Sequence, residues 1–200
     1  MKMRSGTDMV HPAWLRATHW INVIAVMLLV MSGWKIYNAS PIFDFRFPKE
    51  ITLGGWLGGA LLWHFFAMWI LAANGLLYLG ANLATGRFVR KYLPLRPKDV
   101  LVDFVAAFRG KLHDDDLRRY NGPQKLAYLF IVVDLVVLVM SGLVIWKSVQ
   151  FPLLRELMGG YDSARVVHFL AMSALVAAVA VHVAMVALVP RTFMLMIRGR

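Results

Sequence analysis

The sequence predicts an all-α membrane protein, a four-transmembrane-helix bundle built as a single domain over residues 1–200. Three observations carry that expectation. The chain is 60% hydrophobic with a mean hydropathy of +0.62, above the apolar share of soluble domains. Four apolar stretches, at about residues 14–37, 51–84, 126–146 and 163–189, each exceed the ~20 residues that cross a bilayer. The charges are sorted by topology. Of 22 Lys and Arg, 16 lie before or at the start of the first stretch, between the second and third, and after the fourth, against 6 at the opposite ends. The positive-inside rule then places both termini and the 86–122 connection in the cytoplasm. The net charge of +11 sets orientation and meets anionic membrane lipid, with no nucleic acid needed to explain it. The chain has no cysteine, which excludes thiolate-held iron–sulfur clusters, covalent c-type haem and disulfides within it.

Each element follows from its residues. The first stretch is too long, and lacks the small-residue cleavage site, to read as a removed signal peptide. Pro12 suits its start, and Trp14, Trp20 and Trp34 fit the aromatic belts of a membrane interface. A short outer loop with Pro41 and Pro48 follows. The second stretch opens with Gly54, Gly55, Gly58 and Gly59, small residues that let a helix or a flat ligand approach closely. In the long connection, Leu101, Phe104, Val105, Phe108 and Leu112 recur at helical spacing among basic residues. They predict an amphipathic helix lying in the cytoplasmic interface. His11, His113 and the run Asp114–Asp116 read as solvated. The third stretch carries Asp134, either a proton relay or, preferably, a protonated acid bonded to a neighbour such as Asn22 or Asn74. Gly159-Gly160 turns the chain into the fourth stretch, and Pro190-Arg191 closes it. A weak repeat links the halves: VMSG at 30–33 and 139–142, HFFAM at 64–68 and HFLAM at 168–172.

The fourth stretch holds His168 and His182, fourteen residues apart. Fourteen steps of ~100° leave the two rings within about 40° of one face and ~21 Å apart along the axis. Histidine inside a membrane is costly and marks a functional site. With the stretches alternating in direction, His19 and His182 fall at the cytoplasmic depth, and His64 and His168 at the periplasmic depth. A pair of neutral imidazoles on facing helices suits the two axial positions of a b haem, in the core where four-helix bundles hold cofactors. Two pairs predict two b haems. Zinc prefers four ligands converging on one point, which favours haem over a metal-transport site. Arg16 and Arg165 each precede a histidine by three and share its face. Each could meet a haem propionate or simply orient its helix at the membrane surface.

These residues resemble the bacterial cytochrome b561 / nickel–iron hydrogenase cytochrome b superfamily, which includes cytochrome b subunits of formate dehydrogenase and thiosulfate-reductase-like complexes. The likeness rests on RATHWIN at 16–22, His64, YNGPQK at 120–125 and the His168/His182 pair. It implies an inner-membrane protein that holds two b haems and passes electrons between quinone and a partner redox subunit. That partner would be a periplasmic molybdenum oxidoreductase or hydrogenase-like enzyme. In formate dehydrogenase relatives a segment like YNGPQK lines the quinone site, which implies that role for Asn121 and Gln124. Pro123 stands where those relatives use a glycine and removes a backbone donor. Two other readings compete. One is a stand-alone quinone-dependent superoxide oxidase of the cytochrome b561 type, with Arg46, Lys49, Arg155 and Arg165 drawing an anion. The other is a non-redox histidine-lined transporter.

Overall fold

The computed structural model describes residues 12–84, 86, 122–188 and 190–199. The regular elements among them are all helical: α1 (Ala13–Ala39), a 3-10 turn (Lys49–Ile51), α2 (Leu57–Ala84), α3 (Gly122–Trp146), α4 (Pro152–Leu157), α5 (Tyr161–Leu188) and α6 (Pro190–Arg198). Four stretches, Ala13–Ala39, Leu57–Ala84, Leu126–Trp146 and Tyr161–Leu188, are long and apolar enough to cross a membrane. A helix meets all its backbone hydrogen bonds internally, which lipid requires of a spanning segment. The interfacial helix expected within 101–112, together with His11, His113 and Asp114–Asp116, lies outside the described residues.

The chain divides into two compact units, Met1–Thr85 with Met185–Arg200, and Gly86–Ala184. In the first, Pro12 caps α1, its carbonyl accepting from the Leu15 and Arg16 amides at 3.1 and 3.3 Å. α1 and α2 form an antiparallel hairpin: Trp14 meets Tyr78, Thr18 and Asn22 meet Asn74, and Ser32 meets His64. The outer connection is built on side chains of α1. The Tyr37 hydroxyl bonds both backbone groups of Phe43 at 3.2 Å, and the Asn38 amide bonds both backbone groups of Phe47 at 2.8 and 2.9 Å. Trp34 stacks on Phe47 with ring centroids 4.8 Å apart.

The second span begins later than the apolar run suggests. Residues 49–51 form the 3-10 turn, and Gly54 takes φ +110°, a conformation that favours glycine. A Cβ on Gly59 would overlap the Gly54 carbonyl, and one on Gly58 would overlap the Trp56 ring. These glycines make the turn into α2; their small size serves the chain's own backbone and the Trp56 indole. α6 was not anticipated. Pro190 lacks the amide that would continue α5, yet its fixed φ suits a first helical turn, so it ends one helix and starts another. Arg16 of α1 donates from Nη1 to the Ile197 carbonyl and Trp20 Nε1 donates to the Met196 carbonyl at 3.4 Å. Two of the carbonyls that a helix leaves open at its C-terminus are thereby occupied.

In the second unit, α3 and α5 are joined through Ser141 and His168, and Val144, Ala164, Ala171 and Leu175 are buried. α4 ends in a glycine turn, with the Gly160 amide donating to the Arg155 carbonyl at 2.8 Å and Gly160 at φ +99°.

Candidate functional site

Ser32 is fully buried in α1, and its hydroxyl lies 2.6 Å from the Leu28 carbonyl and 3.2 Å from the Leu29 carbonyl. A hydroxyl has one proton and a carbonyl can only accept, so that proton goes to the backbone one turn back. The serine oxygen is left as an acceptor, and His64 Nδ1 of α2 stands 3.0 Å from it. The second unit repeats this arrangement. Ser141, also fully buried, lies 2.7 Å from the Val137 carbonyl and 3.2 Å from the Leu138 carbonyl. His168 Nδ1 is 2.9 Å from Ser141 Oγ and 3.1 Å from the Leu138 carbonyl oxygen. That carbonyl settles the tautomer of His168: Nδ1 must carry the proton, and the lone pair of the neutral ring is on Nε2.

The glycine after each serine meets the same ring edge. A Cβ on Gly33 would lie 3.5 Å from His64 Cε1, and one on Gly142 would lie 3.4 Å from His168 Cε1. The VMSG and HF(F/L)AM motifs are therefore the two sides of one contact, made once in each unit. His64 stands seven residues after the first residue of α2, and His168 seven after the first of α5. Sequence reasoning found the repeat and the histidines but not the serines. The signal was present, because both motifs recur together.

His19 lies six residues into α1, its ring edge-on to Trp20 with centroids 5.5 Å apart. His182 lies six residues before the end of α5. Arg16 is engaged with the end of α6, and its buried Nε has no partner among the described residues. Arg165, with its side chain 25% exposed, is 3.9 Å from Asp162, whose side chain is 93% exposed. Such a pair is held weakly in water. Asn121 and the side chain of Gln124 lie outside the described residues.

Asp134 is buried at 7% exposure, and its Oδ2 has no partner among the described residues. Within the first unit, Asn22 and Asn74 bond each other. Asn74 Nδ2 donates to Asn22 Oδ1 and to the Thr18 carbonyl, both at 2.7 Å. No group of three or more His, Cys, Asp or Glu side chains that could hold a metal ion occurs among the described residues.

Comparison with known proteins gives this geometry a setting. The prokaryotic cytochrome b561 family matches residues 10–199. The putative protein-methionine-sulfoxide reductase subunit YedZ1 of Azospira oryzae is 63% identical over 190 residues, covering 95% of this chain and 96% of the relative. The cytochrome b556(Fdn) subunit of the nitrate-inducible formate dehydrogenase, from Escherichia coli and Shigella flexneri, is 30% identical over 139 residues, or 66% of this chain and 56% of that subunit. Histidines placed within membrane-length helices, a chain without cysteine, and a family match that runs nearly end to end lead to one conclusion: the chain belongs to the prokaryotic cytochrome b561 family of membrane electron-transfer proteins, which implies haem b.

Proposed function

We propose that this chain is a di-haem b electron-transfer subunit of the bacterial inner membrane, linking the quinone pool to a periplasmic redox enzyme. His64 and His168 are the proposed ligands of the outer haem, and His19 and His182 those of the inner one. The pairing rests on depth. His64 and His168 each stand seven residues after a helix start, while His19 stands six after the start of α1 and His182 six before the end of α5, on a span of opposite direction in the proposed topology. The observation that carries the reading is the Nδ1 bonding of His64 and His168 by buried serines. An imidazole held at Nδ1 would have Nε2 available to hold iron, since a metal-bound histidine commonly donates its other ring N–H to a neighbouring acceptor. The chain has no cysteine, which excludes thiolate ligation, and these four histidines would hold the haem iron. Haem b, when bound, supplies one-electron redox chemistry. The chain's own part is to hold the ligands, exclude water and span the membrane. Arg16 and Arg165, each one turn from a ligand, are assigned to the haem carboxylates at the two surfaces.

Asn121 and Gln124 are assigned to quinone at the cytoplasmic side, and the same topology puts both termini there. For the partner, the relative covered nearly end to end is named as a subunit of a protein-methionine-sulfoxide reductase. We assign this chain a partner of that kind, a soluble reductase of sulfoxides, with electrons delivered outward from quinol. The test is gentle purification of the full chain from its native membrane. A co-purifying reductase, with quinol-dependent sulfoxide reduction by the complex, is expected. A protein that purifies alone and instead reacts rapidly with superoxide would replace this reading with that of a stand-alone oxidase.

A further inference from the structure

We infer that Ser32 and Ser141 are positioning residues for the outer haem: each serine oxygen accepts the Nδ1 proton of its histidine, fixing the ring's tautomer and orientation and lowering the potential of that haem. This rests on the haem ligation proposed above.

Five observations converge. Each serine proton is committed to a carbonyl of its own helix, Leu28 at 2.6 Å or Val137 at 2.7 Å, which makes the oxygen toward the histidine an acceptor. His168 Nδ1 also faces the Leu138 carbonyl at 3.1 Å, and a carbonyl accepts only from a protonated nitrogen. Both serines are fully buried, so water does not compete for the ring proton. Gly33 and Gly142 face the Cε1 edge of each ring, where an added Cβ would lie 3.5 and 3.4 Å away, so glycine keeps that edge open to the ring. The arrangement occurs in both units with oxygen–nitrogen distances of 3.0 and 2.9 Å. A helix needs no serine at these points for its own sake: mid-helix back-bonding is neutral or slightly unfavourable. What the hydroxyl adds is a side-chain acceptor at Nδ1, beside the Leu138 carbonyl in the case of His168.

The chemical consequence has a direction. Drawing the Nδ1 proton toward oxygen raises the basicity of Nε2. A more basic axial ligand stabilises ferric over ferrous iron and lowers the potential. Removing the hydroxyl therefore raises the potential of the outer haem and leaves the inner one unmoved.

The experiment is an optical redox titration of the full-length protein carrying Ser32→Ala, Ser141→Ala, Ser32→Thr or Ser141→Thr, beside His64→Ala and His19→Ala. His64→Ala identifies the outer component by its loss. Both alanine variants are expected to keep two haems and to shift that component upward, with the other unchanged. The threonine variants, which retain the hydroxyl, are expected to titrate like the parent. Alanine variants that titrate like the parent would overturn the serine role and leave the haem assignment standing. Loss of haem in both the alanine and the threonine variants would also overturn it, by assigning the serines to packing alone. If His64→Ala kept two normal haems, the ligand assignment itself would fall.

Discussion

The two halves of the chain share one device and differ in nearly everything around it. The α1/α2 hairpin and the α3/α5 pair each place a buried Ser-Gly step against a histidine two turns into the next span. The offsets between the halves, 109 residues for the serine helices and 104 for the histidine helices, locate every other counterpart. His19 then corresponds to Tyr128, and His182 to Tyr78. His64 and His168 are thus copies of each other, whereas His19 and His182 come from non-equivalent helices, each opposed in the repeat by a tyrosine. The polar groups differ as well. Asn74 ties Thr18 and Asn22 together in the first hairpin, where the second has Ala178, Ala127 and Ile131. The buried Asp134 of α3 stands where α1 has the buried Ala25. A duplicated helical pair explains the common device, and one-sided substitutions explain how the two halves differ around it.

The largest expected effect is on haem content. If the halves cooperate at each depth, His64→Ala and His168→Ala abolish the same haem, and His19→Ala and His182→Ala abolish the other. Spectra and redox titrations of the four variants check this. Loss of the same component in His19→Ala and His168→Ala would break the depth pairing.

Exchanging the halves' polar residues sharpens the comparison. Ala25→Asp places in α1 the carboxyl that α3 tolerates. A carboxylate near a span's centre costs about 3 kcal/mol, so this variant should unfold markedly earlier in detergent. Parental stability would mean that both halves accommodate an acid at this level. Asn74→Ala removes the cross-link of the first hairpin. Intramembrane side-chain bonds are worth about 0.6–2 kcal/mol, and a loss near 1 kcal/mol is expected in thermal unfolding. The smallest effect belongs to Arg16→Ala. Freeing the Ile197 carbonyl should cost about 1 kcal/mol locally, seen as faster amide exchange in Pro190–Arg198. The assignment of Arg16 to a haem carboxylate adds a changed inner-haem spectrum in the same variant; an unchanged spectrum would leave Arg16 to α6 alone.

Much of this was legible in the residues. Length and hydropathy located all four spans, because lipid imposes a minimum run of apolar residues that few other demands imitate. The histidines stood out for the same reason: they are expensive where they lie. Local chemistry was harder to see. Gly54, Gly58 and Gly59 have the spacing of a packing ridge, yet their role is set by a turn and by where the Trp56 ring falls, which no spacing reveals. Pro190 reads as a stop, and only the fold shows that it is also a start. Ser32 and Ser141 passed as ordinary small residues because a serine bonding its own helix leaves no pattern in the sequence. Its partner lies 32 residues away in one half and 27 in the other. The repeated pairing of VMSG with HF(F/L)AM was the available clue.

The most direct measurement is the haem content of the purified full-length chain, taken from the alkaline pyridine spectrum against protein concentration. Two haem b per chain is the predicted result, falling to one in His64→Ala and in His182→Ala. A colourless protein, or one whose haem content is unchanged by either substitution, would contradict the account.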